Sequence, residues 1–334
     1  MLLNTLINDE KKNNKKFYSS GPYWNYKNRR AISEIKKYGL NNFRGQVNSI
    51  GSSFADNQVV DVRNEFNWKG KLIGKIFSLP VLNKIFNEQL KITQSYLDLY
   101  LESISIIYSG NKDVLSLINK YKFENTLNFG CVSKFTYLEK EYSILYLNMA
   151  HRIDKLLSLF DFTKIKSFFE IGGGFGANIH FLITNFPNIK KIIYLDTVPN
   201  IYVGTEYLKF HFKNKVKDYL SIKNINKIEF ANNDDLEIYC IPPWEIEKIN
   251  VEIDHFHNAA SFVEMPDFVI KNYCKYIKKF NTKEISLISY AEYDPQTTFN
   301  PESLNNYFEK RLNISWHNLL IKEYNKKSIY LTSK

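Results

Sequence analysis

The feature that most constrains the fold of this chain is a glycine-rich turn that directly follows a short apolar segment. Residues 165–171 have the β-branched and aromatic composition of a buried strand. After them come Gly172, Gly173, Gly174 and Gly176. A helical pattern then covers Ala177–Asn185, and a second strand pattern covers residues 191–196. This order predicts a βαβ unit, which belongs to a parallel sheet with helices on its faces.

The remaining patterns extend this unit in both directions. Further strands are predicted at residues 237–241, 251–258 and 284–290, with helices at 200–219 and 266–279. Segments 314–324 and 328–332 predict a terminal antiparallel hairpin. Towards the N-terminus, helices are predicted at 23–38, which Gly39 ends, at 79–109, and at 136–160, where Thr136 and Glu139 form a capping box. The predicted fold class is therefore α/β, a Rossmann-like, mostly parallel sheet of the class I methyltransferase type with a helical N-terminal extension.

The length of 334 residues favours two regions over one domain. We expect residues 1–135 to form a mostly helical region that binds substrate or acts as a lid. Residues 136–334 are expected to form the Rossmann-like domain, with the helix at 136–160 as the joint.

Composition limits the partners of the chain. The net charge is +10, but the chain is rich in Lys, Asn, Ile, Phe and Tyr, which AT-rich codons encode. We therefore interpret the charge as composition bias and predict no nucleic-acid partner, with steering of an anionic substrate as the alternative. No apolar run approaches the ~20 residues that span a bilayer, and the three cysteines lack any pairing pattern. These features predict a cytoplasmic protein; peripheral membrane contact and oligomeric state are left open.

Two acids beside the glycine turn indicate which cofactor it binds. Asp196 ends the strand after the turn, where a carboxylate accepts the hydroxyls of an adenosine ribose. The same spacing fits a dinucleotide, since Gly172, Gly174 and Ala177 match G-x-G-x-x-A. Glu170, however, precedes the turn, and its charge repels a pyrophosphate but suits the cationic methionine end of S-adenosylmethionine. The sequence therefore predicts S-adenosylmethionine as the cofactor, bound by Glu170, Gly172, Gly173, Gly174, Gly176 and Asp196.

The chain also resembles the sugar O-methyltransferases of bacterial surface-polysaccharide clusters. The residues that carry the resemblance are Tyr23 and Trp24, the run from Gly39 to Arg44, the turn from Phe169 to Gly176, Asp196 with Pro199, and above all the run from Asn258 to Met265. The chain departs from the commoner pattern at Thr197, Val198 and Val263. The resemblance implies methylation of a sugar hydroxyl in a capsule, lipopolysaccharide or other surface-glycan precursor.

Several residues are candidates for the chemistry because the carboxyl ends of parallel strands meet at one edge. Asn258 is expected beside the cofactor, and Ser261 beside the substrate. Glu264 and His257 are candidates to take the proton of the acceptor hydroxyl, the alternatives being a helix-start carboxylate and a packing histidine. Glu292 and Asp294 follow the 284–290 strand and are expected to orient sugar hydroxyls; with His257 they offer ligands for a divalent ion, although no close ligand spacing requires one and no metal is predicted.

Four aromatic or basic residues are further candidates. Trp244 follows the strand at 237–241, where an adenine ring lies in this fold, and it either stacks on adenine or packs in the core. Tyr23, Trp24 and Arg44 either close over the crevice, with Arg44 binding an acceptor phosphate or carboxylate, or pack the N-terminal helices together.

Three other functions stay open from the sequence. One is an NAD(P)-dependent sugar oxidoreductase, which needs a Tyr and Lys pair at helical spacing that Tyr207 and Lys209 do not provide. A second is a methyltransferase that acts on a phosphate-containing glycan component other than a sugar. A third is a non-catalytic partner in glycan assembly that binds the cofactor without turnover.

Overall fold

A sheet of eight strands organises the described part of this protein. The computed structural model describes residues 1–13, 15–41, 43–44, 68–109, 112–130, 134–290, 313–318 and 327–332. Among these residues, β1 and β2 form a separate two-stranded sheet, and β3 to β10 form the sheet of eight. The strands are Phe135–Tyr137 (β1), Lys140–Tyr142 (β2), Ser167–Ile171 (β3), Lys191–Leu195 (β4), Val216–Lys217 (β5), Glu237–Ile241 (β6), His255–Ala259 (β7), Glu284–Tyr290 (β8), Asn313–Asn318 (β9) and Lys327–Thr332 (β10).

The α-helices of the described residues alternate with these strands in the second half of the chain. They are Leu2–Lys12 (α1), Gly21–Tyr38 (α2), Trp68–Phe77 (α3), Pro80–Ser109 (α4), Lys112–Lys120 (α5), Ile144–Leu157 (α6), Ala177–Asn185 (α7), Asn200–Phe212 (α8), Tyr219–Ile222 (α9) and Asp267–Lys279 (α10). Among the described helices, none combines the length and the apolar character that a bilayer crossing needs.

The sheet has the strand order β5-β6-β4-β3-β7-β8-β10-β9. The strands from β5 to β8 are parallel, and β10 runs antiparallel between β8 and β9. The chain leaves β3 towards β4 and β6 and later returns to the other side of β3 with β7, so the direction of winding switches beside β3. This topology confirms the predicted Rossmann-like sheet with an antiparallel terminal hairpin. Ligands bind such sheets at the switch, beyond the carboxyl ends of the strands.

The central strand β3 is buried along its whole length because both faces of a parallel sheet are covered. Four of its five residues suit that place: Ser167 is small, and Phe168, Phe169 and Ile171 are apolar. The fifth is Glu170, which is charged when ionised and fully buried. A carboxylate in this position is costly to keep ionised, so it indicates a role other than packing.

The chain divides into two compact units, Met1–Asn25 with His151–Lys334, and Tyr26–Ala150. The first 25 residues join the sheet because α1 packs on α8 and α9. In that contact the Tyr219 hydroxyl donates to Asp9 over 3.0 Å. Residues 1–135, predicted as one region, are thus shared between both units, and their function in substrate binding or as a lid stays a prediction.

Two predicted helices are shorter in the structure. The capping box of Thr136 and Glu139 is wrong, because these residues lie in an antiparallel hairpin of β1 and β2 and the helix begins only at Ile144. In the turn, Leu138 and Glu139 have φ of 48° and 62°. Glycine is the usual residue in such a conformation, so the sequence did not indicate this turn. The helix predicted at 200–219 ends at Phe212, and β5 and the short α9 follow.

Candidate cofactor and acceptor site

The glycine turn after β3 leaves a stretch of backbone open at the start of α7. Gly172 and Gly174 have φ of 75° and 64°, which favour glycine. A Cβ atom at Gly172 would overlap the Ser261 hydroxyl, so the turn and the loop after β7 approach closely. A Cβ at Gly174 would meet nothing within 4 Å. The turn is therefore a cradle that a ligand can enter at Gly174.

Glu170 lies beneath this cradle. It is 0% exposed, and its Oε1 atom accepts a hydrogen bond from the Asn178 side chain over 2.6 Å. Its Oε2 atom is buried without a hydrogen-bond partner among the described residues, and a Cβ at Gly173 would overlap that atom. Burial raises the pKa of Glu170 to about 7, the bond from Asn178 lowers it, and the nearby Asp196 raises it. A cation at the cradle would favour the charged form of this carboxyl group.

Asp196 follows β4 on the other side of the same turn. Its Oδ2 atom accepts from the backbone N–H of Gly174 over 2.9 Å, and its Oδ1 atom accepts from the backbone N–H of Thr197 over 2.7 Å. The residue is 6% exposed, and burial raises its pKa to about 7 against these two bonds. Asp196 is thus joined directly to the glycine turn, and its contact with a ribose stays a prediction.

Two residues at this cradle were not anticipated from the sequence. Asn178, in the first turn of α7, binds Glu170, and the Tyr194 hydroxyl donates to the carbonyl of Gly174. Gly204 leaves room for the Tyr194 ring, because a Cβ there would overlap its hydroxyl. The sequence does contain a glycine inside a predicted helix, Gly204, and a tyrosine in a predicted strand, Tyr194. This pair becomes informative only when the helix and the strand are known to pack against each other.

The loop after β7 is attached to the end of β3. The Asn258 side chain donates to the carbonyl of Ile171 over 2.8 Å and accepts from the backbone N–H of Phe262 over 3.0 Å. The Ser261 hydroxyl donates to the same Ile171 carbonyl over 3.2 Å. The buried Asn258 amide therefore joins the glycine turn after β3 to the loop after β7. These contacts support a role for Asn258 and Ser261 in holding the glycine turn, and not the direct cofactor and substrate contacts that we expected of them.

Glu264 ends this loop in a position that reaches solvent. It lies in a short 3-10 turn, Phe262–Glu264, and is half-buried. Its Oε2 atom accepts a hydrogen bond from the indole N–H of Trp24 over 2.9 Å. The start of α2 packs here, because a Cβ at Gly21 would lie 2.9 Å from the Pro266 ring. Trp24 and Glu264, two predicted site residues far apart in sequence, are thus brought together.

His257 lies deeper in the sheet, 1% exposed. Its Nδ1 atom is 2.8 Å from the Ser286 hydroxyl, which also lies 2.7 Å from Nε2 of His255. Burial, then the charges of His255 and Arg152, lower the pKa of His257 to about 3. A neutral, enclosed histidine of this kind supports the packing alternative and not the proton acceptor.

Trp244 and Arg44 serve packing in the described structure. The Trp244 indole donates to the Tyr219 hydroxyl over 3.3 Å, and the residue is 8% exposed. Arg44 belongs to the unit of residues 26–150, is 0% exposed, and donates to the carbonyl of Thr126 over 2.8 Å. The expectation that Arg44 binds an acceptor phosphate or carboxylate conflicts with this burial, because its guanidinium is enclosed by its own unit.

Three predicted site residues lie outside what the structure describes. They are Glu292 and Asp294, and the side chain of Tyr23. The described residues contain no group of three or more His, Cys, Asp or Glu side chains suited to a metal ion.

One protein-family model matches the part of the chain that contains the cradle. A model of the O-methyltransferase domain matches residues 128–219. No curated protein matches the chain.

Similar solved structures include two methyltransferases and one biosynthetic protein. They are the mitomycin 7-O-methyltransferase MmcR (14% identity, 56% of each chain, TM-score 0.37), human N-acetylserotonin methyltransferase in complex with SAM (11%, 57% of this chain and 53% of that chain, TM-score 0.37) and the pyocyanin biosynthetic protein PhzM (11%, 57% of each chain, TM-score 0.37). The chain spans little more than half the length of these structures. Residues 128–219, which include the glycine turn and Asp196, are thus similar to an O-methyltransferase domain, a domain whose methyl donor is S-adenosylmethionine.

Proposed function

We propose that the whole chain is an S-adenosylmethionine-dependent O-methyltransferase and that its acceptor is a sugar hydroxyl in a capsule, lipopolysaccharide or other surface-glycan precursor. The donor half of this proposal is supported by the domain at residues 128–219 and by the cradle itself. The acceptor half is supported by the resemblance that the run from Asn258 to Met265 carries.

The observation that carries the donor assignment is the buried carboxyl group of Glu170. Its Oε2 atom has no partner among the described residues, and Asp196 lies across the same turn. A unit charge at about 5 Å in an effective dielectric of about 20 interacts by about 3 kcal/mol, attractive for a cation and repulsive for a pyrophosphate. The pair therefore favours S-adenosylmethionine over NAD(P). When bound, S-adenosylmethionine supplies a methyl group on a positively charged sulfur.

Glu264 is the residue that we assign to the acceptor proton. Among the predicted proton acceptors, it is partly open to solvent, whereas His257 is buried and neutral. The acceptor hydroxyl would lose its proton as its oxygen takes the methyl group from the sulfonium. The proton that the hydroxyl loses passes to Glu264, and the Trp24 indole holds that carboxylate in one orientation. Asn258 and Ser261 keep the loop that carries Glu264 against the glycine turn.

Calorimetry with S-adenosylmethionine and with NAD tests the donor assignment. We expect S-adenosylmethionine alone to bind at pH 7.5. Its affinity should fall towards pH 6, because protonation of Glu170 and Asp196, whose pKa values lie at about 7, removes the negative charge. NAD binding without S-adenosylmethionine binding would replace this proposal with the oxidoreductase.

A panel of acceptors tests the second half. Nucleotide-sugars, free sugars and phosphate-containing glycan components are incubated with the donor, and mass spectrometry detects the added methyl group. We expect methylation of a nucleotide-sugar or glycan fragment. Donor binding with turnover only on the phosphate-containing components would move the acceptor to that class, and donor binding with no turnover on the whole panel would favour the non-catalytic partner.

A further inference from the structure

Arg152, on helix α6, is a cation for which the described residues provide no counter-charge. The residue is partly buried, and its Nε atom is buried without a hydrogen-bond partner among the described residues. No ion pair joins its guanidinium to a carboxylate in the described part of the chain. Removing such a cation from water is costly unless an anion faces it. This arginine therefore indicates a place where an anionic group binds.

The packing of α6 places Arg152 towards the carboxyl ends of the strands. Phe160, which follows α6, packs edge-to-face on His255 at the start of β7, with the two ring centroids 4.9 Å apart. Arg152 lies about two helical turns earlier, and its charge acts on His257, which is further along the same strand. Helix α6 thus runs antiparallel to β7, so its earlier residues lie nearer the edge of the sheet that carries the cradle.

Glu170 lies beside His257 on the neighbouring strand. The two residues are paired in the parallel register of β3 and β7, so their side chains leave the same face of the sheet. Neighbouring strands are about 4.8 Å apart. The carboxyl group of Glu170, with its unpartnered Oε2 atom, and the cation of Arg152 therefore both lie next to His257. One edge of the sheet thus carries an acid and a cation that do not pair with each other.

His257 itself cannot bind an anion, because a chain of hydrogen bonds determines which of its nitrogen atoms carries the hydrogen. The Glu284 carboxylate lies 3.2 Å from Nδ1 of His255, so this nitrogen donates, and Nε2 of His255 accepts from the Ser286 hydroxyl. The Ser286 oxygen then accepts from Nδ1 of His257 over 2.8 Å. Nε2 of His257 is left with a lone pair and no hydrogen. An anion at this place would therefore be bound by Arg152.

We propose that Arg152 binds the α-carboxylate group of S-adenosylmethionine, while Glu170 binds its α-ammonium group. This inference rests on the proposed function and extends it to the second charge of the amino-acid end of the donor. The two protein charges are opposite to the two ligand charges, and each ligand group would meet a buried atom that has no partner among the described residues. An acidic group of the acceptor offers the same chemistry, so the experiment separates the two sources.

Calorimetry with two donors that differ in one group tests this proposal on the full chain. The donors are S-adenosylmethionine and its decarboxylated analogue, which lacks the carboxylate but keeps the ammonium and the sulfonium. Arg152→Gln should weaken binding of S-adenosylmethionine by about 10- to 100-fold, because charge-assisted hydrogen bonds are lost. The Kd of the analogue should stay at the wild-type value, because it has no carboxylate to lose. Arg152→Lys, which keeps the charge, should lose less than Arg152→Gln.

Lys155→Gln is the matched control, because it removes a cation from the same helix one turn further from the cradle. It should leave the Kd of both donors unchanged, and circular dichroism confirms that each variant is folded. A wild type that does not bind S-adenosylmethionine would overturn the proposed function and this inference together.

Other results would overturn the inference alone. They are donor binding that Arg152→Gln leaves unchanged, and a loss of affinity that is equal for both donors. An unchanged donor Kd together with a higher KM for acidic acceptors would assign Arg152 to the acceptor instead.

Discussion

The two sides of the proposed active site are built in different ways. On the donor side, Glu170, Asn178 and Asp196 lie within one βαβ unit, where Asn178 donates to Glu170 and the backbone N–H of Gly174 donates to Asp196. On the acceptor side, Glu264 depends on Trp24, which is 240 positions away in the chain. These three donor-side residues are therefore placed by local contacts, although Asn258 and Ser261 also attach the glycine turn to the loop after β7. The acceptor side is assembled from distant segments, so we expect it to be easier to disturb without loss of the cofactor.

The largest effect is expected from Glu264→Gln. The amide keeps the shape of the side chain but cannot take the acceptor proton, so kcat should fall by about 10²–10⁴-fold. The donor Kd should stay near that of the wild type, because Glu264 lies outside the cradle. Single-turnover kinetics together with calorimetry measure both quantities. A fully active variant would assign the proton to another group, and a large loss of donor affinity would contradict the separation of the two sides.

Asp196→Ala is expected to have the next largest effect, and this effect is on donor affinity and not on kcat. Loss of the charge-assisted bonds to the ribose should weaken donor binding by about 1.5–3 kcal/mol. Asp196→Asn is the matched variant, which keeps the size of the side chain and should lose less. Calorimetric titration with S-adenosylmethionine measures the change. An unchanged donor affinity would remove Asp196 from the pocket.

Glu170 allows the donor side to be tested through stability. A carboxyl group whose pKa rises from 4.5 to about 7 on folding holds its proton more firmly in the folded state. The folded state is therefore favoured at low pH, and this contribution is lost as the pH rises from 4.5 to about 7. Glu170→Gln removes the titration, so the variant should be more stable than the wild type at pH 8, by at most about 3 kcal/mol, and bind the donor less tightly.

Urea unfolding at pH 5 and pH 8 measures this difference, with Glu252→Gln as the control at an exposed glutamate. The control should show no gain at pH 8. If Glu170→Gln destabilises the protein equally at both values of pH, the carboxyl group serves packing, and the electrostatic basis of the donor assignment is lost.

How much of this site can be predicted from the sequence depends on how far apart along the chain the contacting residues lie. The glycine turn and Asp196 are spaced by one βαβ unit, so a local pattern predicts them. The bonds from Asn258 and Ser261 to Ile171 join segments about 90 positions apart, whereas their place at the end of a predicted strand had suggested ligand contacts for both. The hairpin at Thr136 was missed for a local reason, since Leu138 and Glu139 adopt left-handed conformations without glycine. Local sequence patterns therefore reach the geometry of the glycine turn but not the contacts between segments that are distant in the chain.

The smallest effect is expected from Trp24→Phe, and it addresses the long-range contact directly. Phenylalanine keeps an aromatic ring but loses the indole N–H that donates to Glu264. Because a hydrogen bond to a carboxylate stabilises its charged form, the acid limb of the profile of kcat/KM against pH should move to higher pH. Activity at neutral pH should fall by about threefold to tenfold, and the donor Kd should not change.

Trp244→Phe is the matched control for this variant, because it removes an indole N–H that donates to Tyr219 and not to Glu264. A general loss of stability would lower the amount of active enzyme in both variants but leave the pH profile of both in place. A shift confined to Trp24→Phe would therefore show that the start of α2 acts through Glu264. If neither profile of kcat/KM against pH moves, or if both move alike, the acceptor side does not depend on Trp24. Neither side of the site would then depend on the N-terminal segment.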